Sequence, residues 1–144
     1  MLPSFVARDP IWHDRGLADL CAMLDQLYVE KGIPRLLADM FRQEHLPMPV
    51  VSVQEAHYRL VKGDFERLPL TEARGRIAAE GALPYPPGIF CIAPGERWGG
   101  PAYAYFRAIE DFVNAAPDFA PWYHGVHTAV TEAGRKRLEV RVLR

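Results

Sequence analysis

The sequence contains little lysine, little cysteine and no long apolar run, and each shortage excludes a class of protein. Its 144 residues include three lysines and two cysteines, and the formal net charge is −1. A chain this close to neutrality lacks the basic field that is typical of nucleic-acid-binding domains. No apolar stretch approaches the roughly 20 residues that a membrane-spanning helix needs. We therefore expect a protein that binds neither nucleic acid nor membrane.

The two cysteines and the common catalytic motifs give no sign of a catalytic centre. Cys21 and Cys91 lie far apart in a sequence whose N-terminus lacks the cationic region of a signal peptide. We expect a reduced, cytoplasmic chain in which both thiols are buried as small apolar side chains. The motifs CxxC, GxSxG, HExxH and GxGxxG are absent. On a strand, His124 and His127 would point to opposite faces, so no metal site is predicted.

Proline, unlike lysine, is abundant in this sequence. There are 13 prolines, against about 5% of residues in an average protein, which favours short elements joined by shaped loops. The length predicts one domain over residues 1–144. Apolar spacing predicts helices over about 14–30, 34–43, 52–61 and 101–114. It predicts strands at 65–70, 76–79, 89–93, 126–130 and 138–143, the last two as a hairpin. The fold class is α+β, a small mixed or antiparallel sheet with several helices packed on it.

A proline-rich loop, Pro84-Tyr85-Pro86-Pro87-Gly88, is the most unusual local feature. Three prolines restrict both themselves and the residues before them, so this stretch is predicted to be irregular. A stiff loop loses little entropy on docking and can hold Tyr85 in one place for a ligand. The alternative is a rigid connector whose tyrosine packs on the core. The residues alone leave both interpretations open.

A second loop, Pro94 to Gly100, contains a carboxylate and an indole between two glycine signals. Glu96 is either a buried anchor or a site acid. Trp98 is a candidate for contact with a partner, because tryptophan is enriched at interface hot spots. The alternative is a turn followed by the start of a helix.

Together the two loops resemble the C-terminal domain of bacterial pyridoxal-phosphate-dependent ornithine/lysine/arginine decarboxylases. The resemblance rests on residues 72–88, which contain the run GRIAAEGALPYPPG, and on the PGE at 94–96. Residues 98–100 and 119–121 resemble the ornithine branch most, as do 16–21 and 40–42. Phe90 and Cys91 stand where lysine- and arginine-directed relatives favour a proline and an aliphatic residue.

This resemblance covers nearly the whole chain, so it implies a domain and not a complete enzyme. The parent enzyme would convert ornithine to putrescine and CO2 in polyamine biosynthesis, with pyridoxal phosphate held in a large upstream domain. The family's cofactor lysine stands in a Ser-x-His-Lys context, which Lys31, Lys62 and Lys136 lack. The chain alone is therefore expected to bind no cofactor and to catalyse nothing. Its implied partners are the large domain, a dimer mate and a diamino acid.

The resemblance also implies which residues face the substrate. It gives Tyr85 as a substrate contact near the distal amine and Glu96 as either a substrate-channel carboxylate or a loop anchor. The supporting loop residues are Pro84, Pro86, Pro87, Gly88, Gly95 and Trp98. No catalytic, cofactor-binding or metal-binding residue is implied in this chain. Two alternatives stay open: a free-standing interaction or polyamine-binding module, and an independent small-molecule-binding protein.

Overall fold

The computed structural model describes residues 16–85, 88–115 and 122–144. The chain divides into two compact units, Met1–Pro34 and Arg35–Arg144. The first contains helix α1, Leu17–Glu30. Asp14, the predicted start of this helix, lies outside the described residues. Cys21 is exposed, not buried as predicted.

The remaining elements combine short helices with two small antiparallel sheets, which confirms the predicted α+β class. Two helical turns of the 3-10 type, Gln43–His45 and Leu70–Glu72, join longer elements. None of the described helices is both long and apolar enough to cross a membrane. In chain order the regular elements are α2 (Ile33–Met40), α3 (Val53–Val61), β1 (Phe65–Pro69), β2 (Leu83–Tyr85), α4 (Gly100–Ala115), β3 (Trp122–His124), β4 (Val126–Val130) and β5 (Lys136–Leu143).

The main sheet has the order β1-β5-β4, with both pairs antiparallel. The predicted hairpin is confirmed, and its alternating residues Leu138, Val140 and Val142 are fully buried. Helix α4 supplies the apolar stripe predicted from its spacing, and β5 contacts α4 as well as both of its neighbouring strands. The buried members of this stripe are Phe106, Ile109, Phe112 and Val113.

Helix α3 begins at the predicted capping box. The backbone N–H of Glu55 donates to Ser52 Oγ at 3.1 Å, which satisfies one of the unpaired donors of the first turn. Ala56 from this helix joins Ala79 and Leu143 in a second small core. Three apolar side chains of α3, Val53, Tyr58 and Val61, are exposed to solvent.

Strand β5 is longer than β1, and helix α4 bonds to the part that β1 does not reach. β1 stops opposite Glu139. Asn114 Oδ1 accepts from the N–H of Lys136 at 2.9 Å, while its Nδ2 donates to Lys136 O at 2.7 Å. One turn earlier, Glu110 Oε2 accepts from the N–H of Leu138 at 3.3 Å.

Three predicted segments differ from the structure. Residues 76–79 make isolated bridges instead of a strand, and the run at 89–93 is irregular with only Cys91 and Ile92 buried. Conversely, Pro84 lies in strand β2 although that stretch was predicted to be irregular. A proline fits there because alternate N–H groups of a two-stranded ribbon point away from the partner strand.

Candidate functional site

Strands β2 and β3 form a two-stranded ribbon whose far end presents two aromatic rings. In its register Leu83 pairs with His124 and Tyr85 with Trp122. The Tyr85 and Trp122 rings meet edge to face with centroids 5.1 Å apart, a favoured aromatic geometry. Tyr85 is 53% exposed and Trp122 is 62% exposed. We call this pair the ribbon tip.

A third aromatic ring lies beside the ribbon tip. The His124 ring centroid is 5.5 Å from that of Trp122. Because large apolar side chains exposed together mark interaction sites more often than chance, this end of the ribbon is a candidate binding surface.

Gly88, the last residue of the proline loop, lies beside Tyr85. The N–H of Gly88 donates to Pro84 O at 3.0 Å and closes a turn around the tyrosine. Gly88 has a φ of +83°, and a Cβ at this position would lie 3.3 Å from Tyr85 Cδ2. Glycine therefore provides both the backbone conformation and the space beside the ring. Pro86 and Pro87, the other predicted supports, lie outside the described residues.

The second loop is tied inward. Glu96 Oε2 accepts from the N–H of Ala93 at 2.6 Å, and Glu96 O accepts from the N–H of Ala78 at 2.8 Å. The residue is partly buried, and its carboxylate closes the turn that contains Pro94 and Gly95. The structure thus gives the Glu96 side chain an anchoring contact within its own loop.

Gly95 lies where the second loop touches the segment before α3. Its φ is +88°, and a Cβ there would lie 2.4 Å from Val51 O, closer than real atoms approach. The carbonyl of Gly95 accepts from the N–H groups of Val50 and Val51, and its own N–H donates to Ala78 O. Only a residue without a side chain fits between these backbone groups.

Trp98 belongs to the core. It is 1% exposed, so it cannot face a partner, and its ring packs edge to face on Phe106 at 5.8 Å. Its backbone N–H donates to Arg76 O, and its carbonyl accepts from the N–H of Gly75. The indole N–H has no hydrogen-bond partner in the described part of the chain.

The structure separates the two cysteines by environment. Cys91 is buried, as predicted, and burial raises the pKa of its thiol to about 11. Such a thiol stays protonated at neutral pH and is a poor nucleophile. Within the described ranges no group of three or more His, Cys, Asp or Glu side chains is placed to hold a metal ion. His127 contacts Glu80 at 3.0 Å and lies on a different strand from His124.

Two of the three lysines make contacts that the structure describes. Lys62 lies over the Tyr58 ring at the exposed end of α3, and Lys136 pairs through its backbone with Asn114. A shallow cleft runs along α3 and contains no lysine; it is lined by Ser52, Gln54, Glu55, His57, Tyr58 and Val61.

Sequence reasoning missed Trp122 as the partner of Tyr85. In the structure Tyr123 packs toward Phe106, with ring centroids 5.9 Å apart, while Trp122 is exposed. No local sequence pattern pairs Trp122 with Tyr85, because the strand register brings the two together. The residues at 119–121 that resemble the ornithine branch lie outside the described residues.

Comparison with known proteins gives matches over the whole chain. A family model described as "Orn/Lys/Arg decarboxylase, C-terminal domain" matches residues 34–144. The constitutive ornithine decarboxylase of Escherichia coli K12 is 43% identical over all of this chain and 20% of its own length. The inducible ornithine decarboxylase of the same organism is 44% identical over 89% of this chain and 17% of its own length.

A solved structure shows the same fold. The crystal structure of the Francisella novicida lysine decarboxylase LdcF superimposes with a TM-score of 0.83 at 29% identity, covering 100% of this chain and 20% of that one. This chain therefore spans about a fifth of the length of the relatives that it matches.

Proposed function

The chain belongs to the family of Orn/Lys/Arg decarboxylase C-terminal domains, and from that membership we propose that residues 1–144 act as the C-terminal domain of an ornithine decarboxylase. Identity to the Escherichia coli ornithine decarboxylases exceeds identity to the lysine decarboxylase structure, which supports ornithine as the substrate. The parent enzyme would release CO2 from ornithine and form putrescine in the cytoplasm.

Pyridoxal phosphate would be bound by a large domain outside this chain. The cofactor needs a lysine in an enclosed pocket for its covalent attachment. Lys62 stacks on an exposed ring, and the cleft on α3 has no lysine. The residues of this chain do not fit the cofactor, so no step of the decarboxylation is assigned to them.

The observation that carries the proposed role is the exposed aromatic ribbon tip. Tyr85 and Trp122 are rigid side chains that cost little entropy to order, and both are more than half exposed. We propose that the tip lines the entrance to the active site of the parent enzyme. There the Tyr85 ring and hydroxyl would contact the distal ammonium group of the diamino acid. Glu96 would anchor the neighbouring loop.

Packing on the large domain is supported by a second surface. Helix α3 turns Val53, Tyr58 and Val61 outward, all of them more than half exposed. A solvent-facing apolar stripe on a helix is typical of a face that a further domain or subunit covers. We propose that the large domain or the dimer mate covers this face.

A hybrid enzyme tests the proposal. This chain replaces the corresponding C-terminal fifth of the Escherichia coli constitutive ornithine decarboxylase, and CO2 release is measured with ornithine and with lysine. We expect turnover of ornithine by the hybrid and none by the chain alone. Tyr85→Phe should raise the KM for ornithine several-fold, whereas Tyr28→Phe, at an exposed tyrosine of α1 that neither proposed surface includes, serves as the control.

Three results would contradict the proposal. Turnover by the chain alone would show that it contains its own catalytic centre. Equal kinetics for the Tyr85→Phe and Tyr28→Phe hybrids would show that Tyr85 does not contact the substrate. A hybrid that fails to assemble, together with putrescine binding by the chain alone, would support the free-standing module.

A further inference from the structure

The register of the ribbon continues beyond its last backbone pair. At the end of the ribbon away from its tip, Leu83 of β2 pairs with His124 of β3. Continued along both strands, this register sets Ala82 opposite Gly125 and Glu80 opposite His127. The Glu80 and His127 side chains do meet there, with Oε2 and Nε2 3.0 Å apart. The pair therefore lies at the junction between the ribbon and strand β4 of the main sheet.

Backbone hydrogen bonds do not hold this junction. Although all of these residues are described, none of the backbone hydrogen bonds joins residues 80–81 to residues 125–127. The two segments nevertheless lie in close contact, because a Cβ on Gly125 would lie 2.0 Å from Gly81 O. Gly125 has a φ of +68° and bends the chain between β3 and β4. At this bend the contact between the Glu80 and His127 side chains joins the two segments in place of backbone hydrogen bonds.

Charged side chains surround the Glu80–His127 contact. Glu80 Oε2 also lies 3.5 Å from a guanidinium nitrogen of Arg141, and Glu80 and His127 are each only about a quarter exposed. A partly buried pair is screened less than a surface pair. The residue directly opposite His127 on β5 is Glu139, which is already shared by Arg67 and Arg137. Glu80 is therefore the carboxylate that His127 contacts.

We propose that Glu80 and His127 are positioning residues that fix the direction of the ribbon and hence of Tyr85 and Trp122 at its tip. An imidazole gains its proton between about pH 8 and pH 5. With the His127 ring protonated the contact is an ion pair, and with the ring neutral it is a hydrogen bond. Because a charge-assisted contact is the stronger of the two, the ribbon tip is held more firmly when the ring is protonated.

The test follows Trp122 in this chain labelled with fluorotryptophan. Trp122→Phe identifies the Trp122 resonance, and its position is recorded from pH 5 to pH 8. His124 touches Trp122 directly, so the measurement is made in His124→Gln. We expect the Trp122 resonance to shift across this pH range in His124→Gln. We expect that shift to be lost when His127→Gln or Glu80→Gln is added.

Matched variants separate positioning from general effects. His57→Gln removes a histidine of α3 that is not part of the junction and should leave the pH-dependent shift intact. Glutamine at position 127 can still hydrogen-bond to Glu80, so the fold should survive; an unchanged Trp98 resonance checks the core. A Trp122 shift that persists in folded His124→Gln/His127→Gln, or that is absent in His124→Gln alone, would overturn the proposal.

This inference rests on the proposed function only in treating the ribbon tip as the substrate-facing end. The resonance measurement uses no substrate and no large domain. It can therefore succeed if the hybrid enzyme fails, and it can fail while the hybrid turns over ornithine. In an active hybrid, His127→Gln should change the pH dependence of the KM for ornithine. When the variant and the parent hybrid are compared at the same pH, kcat should stay nearly the same.

Discussion

The two proline- and glycine-rich loops of this chain have similar compositions and opposite environments. The loop at 84–88 ends the ribbon and exposes Tyr85, whereas the loop at 94–100 buries Trp98 and fixes Glu96 to its own backbone. In both, glycine takes a positive φ that other residues rarely adopt. The difference comes from the neighbours, because Gly95 lies against Val51 and Gly88 lies against the Tyr85 ring. Proline and glycine thus mark a constrained backbone, and the surrounding elements determine whether it is exposed.

The largest effect on stability is expected at Trp98, and Trp122 provides the comparison in the opposite environment. Trp98→Ala removes a fully buried indole and should lower the free energy of unfolding by about 3–5 kcal/mol. Trp122→Ala removes an exposed ring and should cost less than about 1 kcal/mol. Urea unfolding of the two variants measures the difference. Equal losses would show that the ribbon tip is as much a part of the core as the second loop.

Trp98→Phe refines this comparison. The indole N–H of Trp98 has no partner in the described residues, so phenylalanine removes a polar group as well as volume. We expect a smaller loss than for alanine, measured by the same urea titration. A loss equal to that of Trp98→Ala would mean that the N–H makes an important bond.

The next largest effect concerns glycine. Gly95→Ala places a Cβ against Val51 O at a positive φ and should destabilise the chain by about 2–4 kcal/mol. Gly134→Ala is the matched control, with a φ of +74° and nothing within 4 Å of the added Cβ. It should cost only about 1–2 kcal/mol, the penalty of the conformation alone. Similar thermal midpoints for the two variants would contradict the close approach at Gly95.

A smaller effect is expected at Glu96. Glu96→Ala removes a charge-assisted hydrogen bond to the N–H of Ala93 and should cost about 1.5–3 kcal/mol. Glu96→Gln retains an acceptor oxygen and should cost less. If Glu96 is an anchor, ornithine turnover of the hybrid will follow stability in both variants. If Glu96→Gln abolishes turnover without loss of stability, the carboxylate contacts the substrate.

The smallest effect on stability is expected at the two cysteines, which should nevertheless differ clearly in their reactivity. Exposed Cys21 should react with a thiol reagent at neutral pH, whereas Cys91 should react only after unfolding. Because the pKa of Cys91 is raised in the folded state, its contribution to stability is complete below about pH 9 and is lost as the pH rises toward about 11. Cys91→Ala should remove that loss from an alkaline unfolding series. Rapid labelling of native Cys91 would contradict its burial.

Local signals predicted most of the fold. The capping box at Ser52, the alternation of Leu138, Val140 and Val142, and the stripe of α4 each depend on neighbours in the sequence, and each is confirmed. The irregular segments were harder. Residues 89–93 are apolar enough for a strand, but they lack a partner strand of sufficient length, and only long-range pairing decides that.

The candidate site was predictable in part. The proline loop drew attention to Tyr85, and the structure places that residue at an exposed position. Trp122 and the Glu80–His127 pair could not be found from local patterns, because they depend on which residues the ribbon register brings together. The roles of Tyr85 and Glu96 toward a substrate stay predictions.

The bonds between α4 and β5 have a consequence for how the chain behaves at high concentration. A strand edge with free N–H and C=O groups is a template on which another chain can add a strand and begin to aggregate. Where β1 falls short, Asn114 offers Lys136 the donor and acceptor that a neighbouring strand would offer, and Glu110 does the same for the N–H of Leu138. Two side chains of helix α4 thus occupy the backbone groups to which another strand would bond, and no strand of the sheet has to be longer for this.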